Sequence, residues 1–475
     1  MARDRTRDPR FDFRGGVVTA LSNELLDARE LRRLENGRSV RGALEPRLGS
    51  KRIHDTALPG GAVLGVVQWD APAGKQVVAI AADGLYHKLA AATDFTKVAG
   101  VWDPTKPVSF VAHRVGVTIV LYIANGVLRR WDGAAVTTIA GASVPAATWL
   151  ALYLGRGFAV DSSKRLYASA IGDLTKWAAG ESAVFADVET YDTEGLVALC
   201  KVGASLALAK EDNIARFSGV DPGDIRIDTQ TRGISGDTGV AAPRTFLELE
   251  QSAFGLSDRG PFVTSDAQLD LSIGAAIADL FEDADPDELA AAVAVHHLTR
   301  REVWLWLGAE VWAWHYDTRT WSGPWLDMPA TCACRYERAD GTETVLRGDV
   351  DGFVREEDLG TRTDVHRDGT GGAAIYMRAE LPTMVFGEPT LEKNLGQVWQ
   401  ELVAELPAGS TCAVEFSSEK CEGSVAIVGA GAKAQAYPFK LWRAKGNRFA
   451  FTLALSGAGA RILAVVLEGA IGGRR

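Results

Sequence analysis

Residues 303–325 read VWLWLGAEVWAWHYDTRTWSGPW, a stretch in which apolar side chains alternate with other apolar side chains. On a strand, Val303, Leu305 and Leu307 face one way and Trp304 and Trp306 the other, because successive side chains leave opposite sides of the pleat. A sheet with one wet face alternates apolar with polar, so this hairpin predicts a strand pair covered on both faces. The same unit, an apolar strand, a short polar or Gly turn and a second strand carrying an aromatic or Arg, recurs at 77–89, 119–133, 158–177, 206–219, 253–266 and 345–358. With Gly84, Gly126, Lys164, Asn213, Gly260, Ala309 and Gly352 as turn markers, the spacings are 42, 38, 49, 47, 49 and 43 residues. A period of about 40–50 residues made only of short strands is the blade length of a β-propeller. Each blade is covered by its neighbours, which supplies the cover the tryptophan hairpin demands. Gly84, Gly126 and Gly352 each follow Asp or Asn, a pairing suited to the positive φ of a tight hairpin turn. The competing arrangement of the same hairpins is a sandwich.

The beat ends at the Gly-rich HRDGTGG, residues 366–372, and strands of another rhythm follow: CAVEFSSE, FKLWRAK, RFAFTLALSG and RILAVVLEGAI. Their lengths and Gly or Ser turns fit a compact β-sandwich. At the other end, ELLDARELRRLENGRSV, residues 24–40, reads as a short helix before the first blade. The expected organisation is therefore all-β: an N-terminal arm over 1–60 that docks or closes the ring, a six- or seven-bladed β-propeller over 61–372, and a β-sandwich over 373–475.

Composition agrees with a folded chain: of 475 residues, 47% are hydrophobic and 24% charged. The charged N-terminus predicts no secretory leader, and the lack of an uncharged apolar run of about 18 residues predicts no membrane-spanning helix and a soluble chain. The net charge of −10 is uneven. Residues 1–60 carry 13 Lys and Arg against 9 Asp and Glu, a net of +4, which leaves −14 on the remainder. An acidic body is poor at gripping DNA, since nonspecific affinity comes from neutralising phosphates, and it would let DNA slide past.

Candidate chemistry changes little. Five cysteines, Cys200, Cys332, Cys334, Cys412 and Cys421, are an odd and scattered set that predicts buried free thiols; the Cys332-x-Cys334 pair has no zinc-ligand companions. Gly429-x-Gly431-x-x-Ala434 has the outline of a dinucleotide turn, but Pro438 interrupts the helix it needs and no acidic residue follows to hold a ribose. The acidic run around Asp283–Glu288 lacks the Gly and Glu of a calcium loop, since Glu288 and Ala294 occupy the sixth and twelfth positions from Asp283; it reads as the cap and first turn of a short helix. His296 and His297 are adjacent and point apart. No catalytic, cofactor or metal residue is therefore expected. The arginines Arg29, Arg32, Arg33, Arg38, Arg41 and Arg47 lack interleaved aromatics for stacking bases, and instead suit pairing with carboxylates of a partner protein or a solvated charged face.

The stretch LENGRSVRGALEPRLGSKR, the propeller beat, PTMVFGEPTLEKNLGQVWQEL at 382–402 and the terminal GGRR together resemble the tail nozzle, or packaged-DNA-stabilisation (tail hub), proteins of short-tailed bacteriophages. The resemblance implies a structural virion protein and no enzyme. It implies a homo-oligomeric ring, usually a hexamer, below the portal and adaptor rings in contact with other tail proteins. That ring, assembled in the host cytoplasm, would extend the channel for double-stranded DNA, help retain the genome and serve DNA ejection. The seven hairpins exceed by one the six blades the resemblance implies. The rival readings are a carbohydrate-active or lectin-like propeller, whose acids would come from separate blades, and a cytosolic interaction propeller.

Overall fold

A computed structural model describes residues 5–7, 13–23, 25–71, 74–189, 194–219, 226–228, 234–235, 237–265, 268–365, 372–384, 393–395, 400–441, 444–457 and 459–470. The joint at 366–371, most of 385–399 and the terminal GGRR lie outside the described residues. The fold is all-β and propeller-like, built of many small antiparallel sheets.

Each of the seven expected hairpins sits in its own four-stranded antiparallel sheet, with the strands in chain order in the first six and the last strand of the seventh supplied from residues 51–52. The first sheet runs Gly65–Ala71, Gly74–Ala81, Gly84–Leu89 and Thr96–Ala99. The sixth runs Val293–His297, Glu302–Leu307, Glu310–His315 and Thr320–Trp325. All seven turn markers fall at the junction of the second and third strands of their sheets. Gly126 and Gly352 take φ of 71° and 79°, as the turn chemistry requires. Gly84 is needed for a different reason: a Cβ there would stand 2.9 Å from the carbonyl oxygen of Val98 on the adjacent strand.

The first strands of successive sheets pack against one another around the series, and that of the seventh sheet packs on that of the first. This stacking covers the tryptophan hairpin. Trp304, Trp306, Val311, Ala313 and Trp325 share a core with Val345 of the seventh sheet. Val303, Leu305, Trp312, Trp314 and Trp321, from the other side of the same strands, pack with Leu249, Phe254 and Leu256 of the fifth. Three tryptophans of the sixth sheet thus enter the layer on each of its faces, where dispersion and area burial are greatest.

The N-terminal segment departs from expectation. Among the described residues of 24–40 no helix forms; the segment makes the short strands Glu30–Leu31, Arg33–Glu35 and Gly37–Val40. Leu31 and Leu34, three residues apart, suggested a helical stripe, but a chain of short, kinked strands turns both inward as well. Asn36, at φ 50°, makes one of these kinks. Nor is residues 1–60 a separate arm. Arg33–Glu35 pairs with Met377–Glu380 at the edge of a five-stranded sheet completed by Phe449–Ser456, Thr411–Ser418 and Glu422–Val428. Gly37–Val40 and Ala43–Pro46 form a hairpin that extends a second five-stranded sheet of Arg461–Val466, Gln400–Leu406 and Gly431–Phe439. The strand Lys51–Arg52 then becomes the fourth strand of the seventh four-stranded sheet, against Val354–Glu356.

The two five-stranded sheets share one core, since strands Gln400–Leu406 and Phe449–Ser456 both bury every second residue, and the apolar ones among these belong to one cluster. That cluster continues without a break through Phe13, Val17, Leu31, Leu34 and Leu44 into the fifth and sixth four-stranded sheets. The N-terminal segment is the mortar of this junction. Trp325 Nε1 donates to Gly37 O at 2.7 Å, Asn36 N to Pro324 O at 2.9 Å, and Ser39 N to Ser322 Oγ at 3.1 Å.

Candidate functional site

The chemistry of the chain concentrates at this junction, where the expected docking arginines sit among carboxylates of the sixth and seventh sheets. Arg38 is 2% exposed. Its Nη2 donates to Glu302 Oε1, its Nη1 lies 3.8 Å from Asp358 Oδ1, and its guanidinium stands 5.7 Å from the Trp325 ring. Glu302 spends its other oxygen on the indole N–H of Trp304 at 2.8 Å. Asp358 also accepts from Arg300 and, at 3.2 Å, from His297 Nε2, while His297 Nδ1 faces Glu343 at 3.6 Å.

The electrostatics follow from this geometry. Burial pushes the Asp358 carboxyl up, but the hydrogen bond from His297 and the charges of Arg38 and Arg300 outweigh it and hold the group well below the ordinary carboxylate range. Burial likewise opposes the charge on Arg38, and Glu302 and Asp358 overcome it, so the guanidinium is raised above its usual value. Glu357, paired with Arg347 at 2.6 Å, behaves differently: burial wins over the charges of Arg347 and Arg47, and its carboxyl is raised. Arg47, 4% exposed, donates to both oxygens of Asp364 at 3.1 and 2.7 Å, and this lowers the carboxyl against the effect of burial.

The six arginines therefore divide. Arg38 and Arg47 are corrected from docking residues to internal ones, because their guanidinium groups are buried against carboxylates of their own chain. Arg32 donates to the carbonyls of Thr19 and Leu21. Arg33, 39% exposed at its side chain, pairs with Glu35 at 2.8 Å and approaches Glu310 at 3.9 Å. Arg29 and Arg41 stand at the surface. The sequence flagged Arg38 and Arg47 as charged but not their partners, which come from residues 297–364.

Elsewhere the sequence readings resolve simply. A strand, Gly431–Phe439, begins two residues after Gly429, in the place of the helix a dinucleotide turn requires. Asp285 caps the helix Pro286–Ala291 by accepting from Asp287 N at 3.0 Å. Cys200, Cys332 and Cys412 are buried free thiols, and burial pushes Cys332 and Cys412 up to about 12. His296 and His297 do point apart, toward Tyr316 and Asp358. Among the described residues no group of His, Cys, Asp and Glu could hold a metal, and no helix is long and apolar enough to cross a membrane.

No family model matches the chain, and no curated protein does. Solved structures that resemble it include a chain of the mitotic checkpoint complex, at 11% identity and a TM-score of 0.42, over 66% of this chain and 97% of that one. Another is the extracellular domain of a putative hybrid two-component system from B. thetaiotaomicron, at 9% identity and a TM-score of 0.43. That match covers 65% of this chain and 39% of the other.

Proposed function

We propose that the chain is a seven-bladed β-propeller with a C-terminal β-sandwich, and that it serves as a non-enzymatic structural subunit of a bacteriophage tail. In this reading it forms a homo-oligomeric ring, a hexamer, below the portal and adaptor rings, which extends the DNA channel and helps retain and eject the genome. The observation that carries it is the weld. Interfaces between parts of one chain ordinarily permit relative motion. Here residues 33–52 put strands into three sheets, bury Arg38 and Arg47 in ion pairs, and lie within one continuous apolar cluster. A subunit that bears the load of a packed genome benefits from having no hinge at that place.

Charge supports the same reading. The net −14 outside residues 1–60 repels duplex DNA, so a wall made of this chain would let DNA pass. The exposed Arg41 can meet a carboxylate of a neighbouring ring.

The test is sedimentation and negative-stain electron microscopy of the purified chain, with inspection of the neighbouring genes. Closed rings, together with portal, adaptor or terminase genes alongside, are expected. A chain that stays monomeric at every concentration and is encoded within a metabolic operon overturns the proposal.

A further inference from the structure

The five-stranded sheet that begins with Arg33–Glu35 ends at Glu422–Val428, and that last strand is an open edge. It pairs with Thr411–Ser418 through seven residue pairs without a bulge. At the two ends of this pairing, Gly429 N donates to Ser410 O at 2.9 Å and Ser418 N to Cys421 O at 2.8 Å. Antiparallel pairs alternate between bonded and non-bonded, so Gly423, Val425 and Ile427, in step with Cys421 and Gly429, spend their backbone groups on Thr411–Ser418. Glu422, Ser424, Ala426 and Val428 therefore turn N–H and C=O to the outer side, where they meet no partner among the described residues. Their side chains are exposed as well.

Other described edges are protected. The outer strands of the four-stranded sheets are two to four residues long, too short to template a ladder, with one exception. That exception, Thr320–Trp325, contains Pro324 and is covered by Gly16–Val17, Arg33–Glu35 and Gly37–Val40. Gly431–Phe439, the edge of the second five-stranded sheet, carries Lys433, Pro438 and a break in register opposite Ala404–Leu406. Glu422–Val428 has none of these devices: it holds no Pro and no Lys, its single charge is at its end, and Ser424 and Ala426 keep its middle small.

The strand is also complementary to itself. With Val425 on a two-fold axis, an antiparallel copy sets Ser424 opposite the copy's Ala426 and Glu422 opposite the copy's Val428, so every outward-turned residue meets an outward-turned residue. A shift of one residue would set outward groups against inward ones. Glu422 then lies a strand length from its twin, and like charges do not face each other across the contact although the chain carries a net −10.

We propose that Glu422–Val428 is a self-docking edge, at which two copies of the chain join their five-stranded sheets into one continuous sheet. The far edge, Arg33–Glu35, packs on Thr320–Trp325, so the joined sheet cannot extend further and this association stops at two copies. The contact is isologous, whereas a ring uses head-to-tail contacts, so the proposal stands or falls separately from the structural role.

The test is sedimentation of the whole chain together with residue-resolved hydrogen exchange. A monomer–dimer equilibrium is expected, with a Kd of about ten micromolar, the strength of a small contact made by one short strand pair. As concentration rises, the Ser424, Ala426 and Val428 amides should gain protection, while those of Val425 and Ile427, already bonded within the chain, change little. Ala426→Pro removes an N–H that the chain's own ladder does not use, so melting should be unchanged while the dissociation constant rises at least about tenfold. Ser424→Lys, which leaves the backbone alone, should weaken the dimer in the same direction. Three results would overturn the proposal: a chain that stays monomeric throughout, protection of Ser424 and Ala426 already in the monomer, or a dimer indifferent to both substitutions. Closed rings in which these amides stay unprotected would overturn it too, and would leave the structural role standing.

Discussion

Replacing Arg38 by Met isolates the electrostatic part of the junction. The long unbranched side chain of Met keeps most of the volume of the Arg stem but removes the charge that faces Glu302 and Asp358. Those carboxylates, with side chains 8% and 7% exposed, cannot recover their hydration by a small shift. Asp358 keeps Arg300 and His297, so the greater exposure to an unpaired charge falls on Glu302, whose remaining partner is the Trp304 indole. Breaking a buried pair from one side costs about 3–5 kcal/mol, because a charge is left without compensation. The reverse change at both ends, Arg38→Met with Glu302→Leu, should recover much of that loss, since a buried pair is often matched by apolar groups of similar volume. Urea is the denaturant to use, because guanidinium chloride would screen the interaction under study. The penalty also has a pH signature. In the parent, Asp358 is depressed below its ordinary value of 3.8, so its stabilisation is fully present above that value and is lost as pH falls through the folded one. In the variant Asp358 has lost the charge of Arg38 and is less depressed, so acid neutralises it at a higher pH than in the parent. The difference between parent and variant should therefore hold from pH 7 down to about 4 and narrow only at lower pH, as Asp358 becomes protonated in both. A penalty below about 1 kcal/mol at pH 7 would show that water reaches the pair and that the weld is apolar alone.

Trp306→Ala removes a side chain that is 1% exposed between the sixth and seventh sheets, and should lower the unfolding free energy by about 3–5 kcal/mol in urea titration; an unchanged midpoint would place Trp306 in solvent. A chain that starts at Gly60 lacks the outer strand of the seventh sheet, three strands of the two five-stranded sheets and both buried arginines. It should aggregate or melt well below the parent by differential scanning calorimetry, and recovery of a soluble, cooperatively melting product would show that the segment is dispensable for folding.

The repeat was legible because each unit writes its own pattern locally: two apolar strands and a turn occupy about twenty residues, and the period then follows from turn spacing. The two faces of the tryptophan hairpin could be assigned from alternation alone. The weld was not legible, and the reason is that its information is distributed. Arg33–Glu35 is three residues long and looks like part of a helix until Met377–Glu380 is available to pair with it. Arg38 looks like a surface charge until Glu302 and Asp358 surround it. The segment expected to dock or to close the ring contains VRGALEPRL, which stops short of closing it. Its residues Ala43–Pro46 pair instead with Gly37–Val40 and with Ile462, and the closing strand is Lys51–Arg52 just beyond it. A two-residue strand has no periodicity to read.

So short a closing strand cannot hold the ring by its ladder alone, and the residues after it show what assists. Ile53 N donates to Val354 O at 3.0 Å, and the Arg52 guanidinium lies 3.8 Å above the Phe353 ring. His54, fully buried, accepts the Val354 N–H on Nε2 at 2.8 Å. That fixes its tautomer: Nδ1 must carry the proton, and it donates to Thr56 O at 2.7 Å. A protonated imidazole would present Nε2–H to a backbone N–H and lose the bond, and burial accordingly lowers the His54 pKa despite the opposing bond to Thr56. The neutral ring thus takes the place of a backbone carbonyl and extends the pairing of the closing strand by one hydrogen bond. Beyond it, Leu58 N donates to Gly352 O at 2.9 Å, on the turn between the second and third strands of the same sheet. Residues 51–58 therefore grip the last sheet along its outer strand and over its turn, while residues 33–46, next to them in the chain, are fixed in the five-stranded sheets. Tension between the two halves of the molecule must pass through both grips before the chain can part, and this arrangement, rather than the length of any one strand, makes the junction rigid.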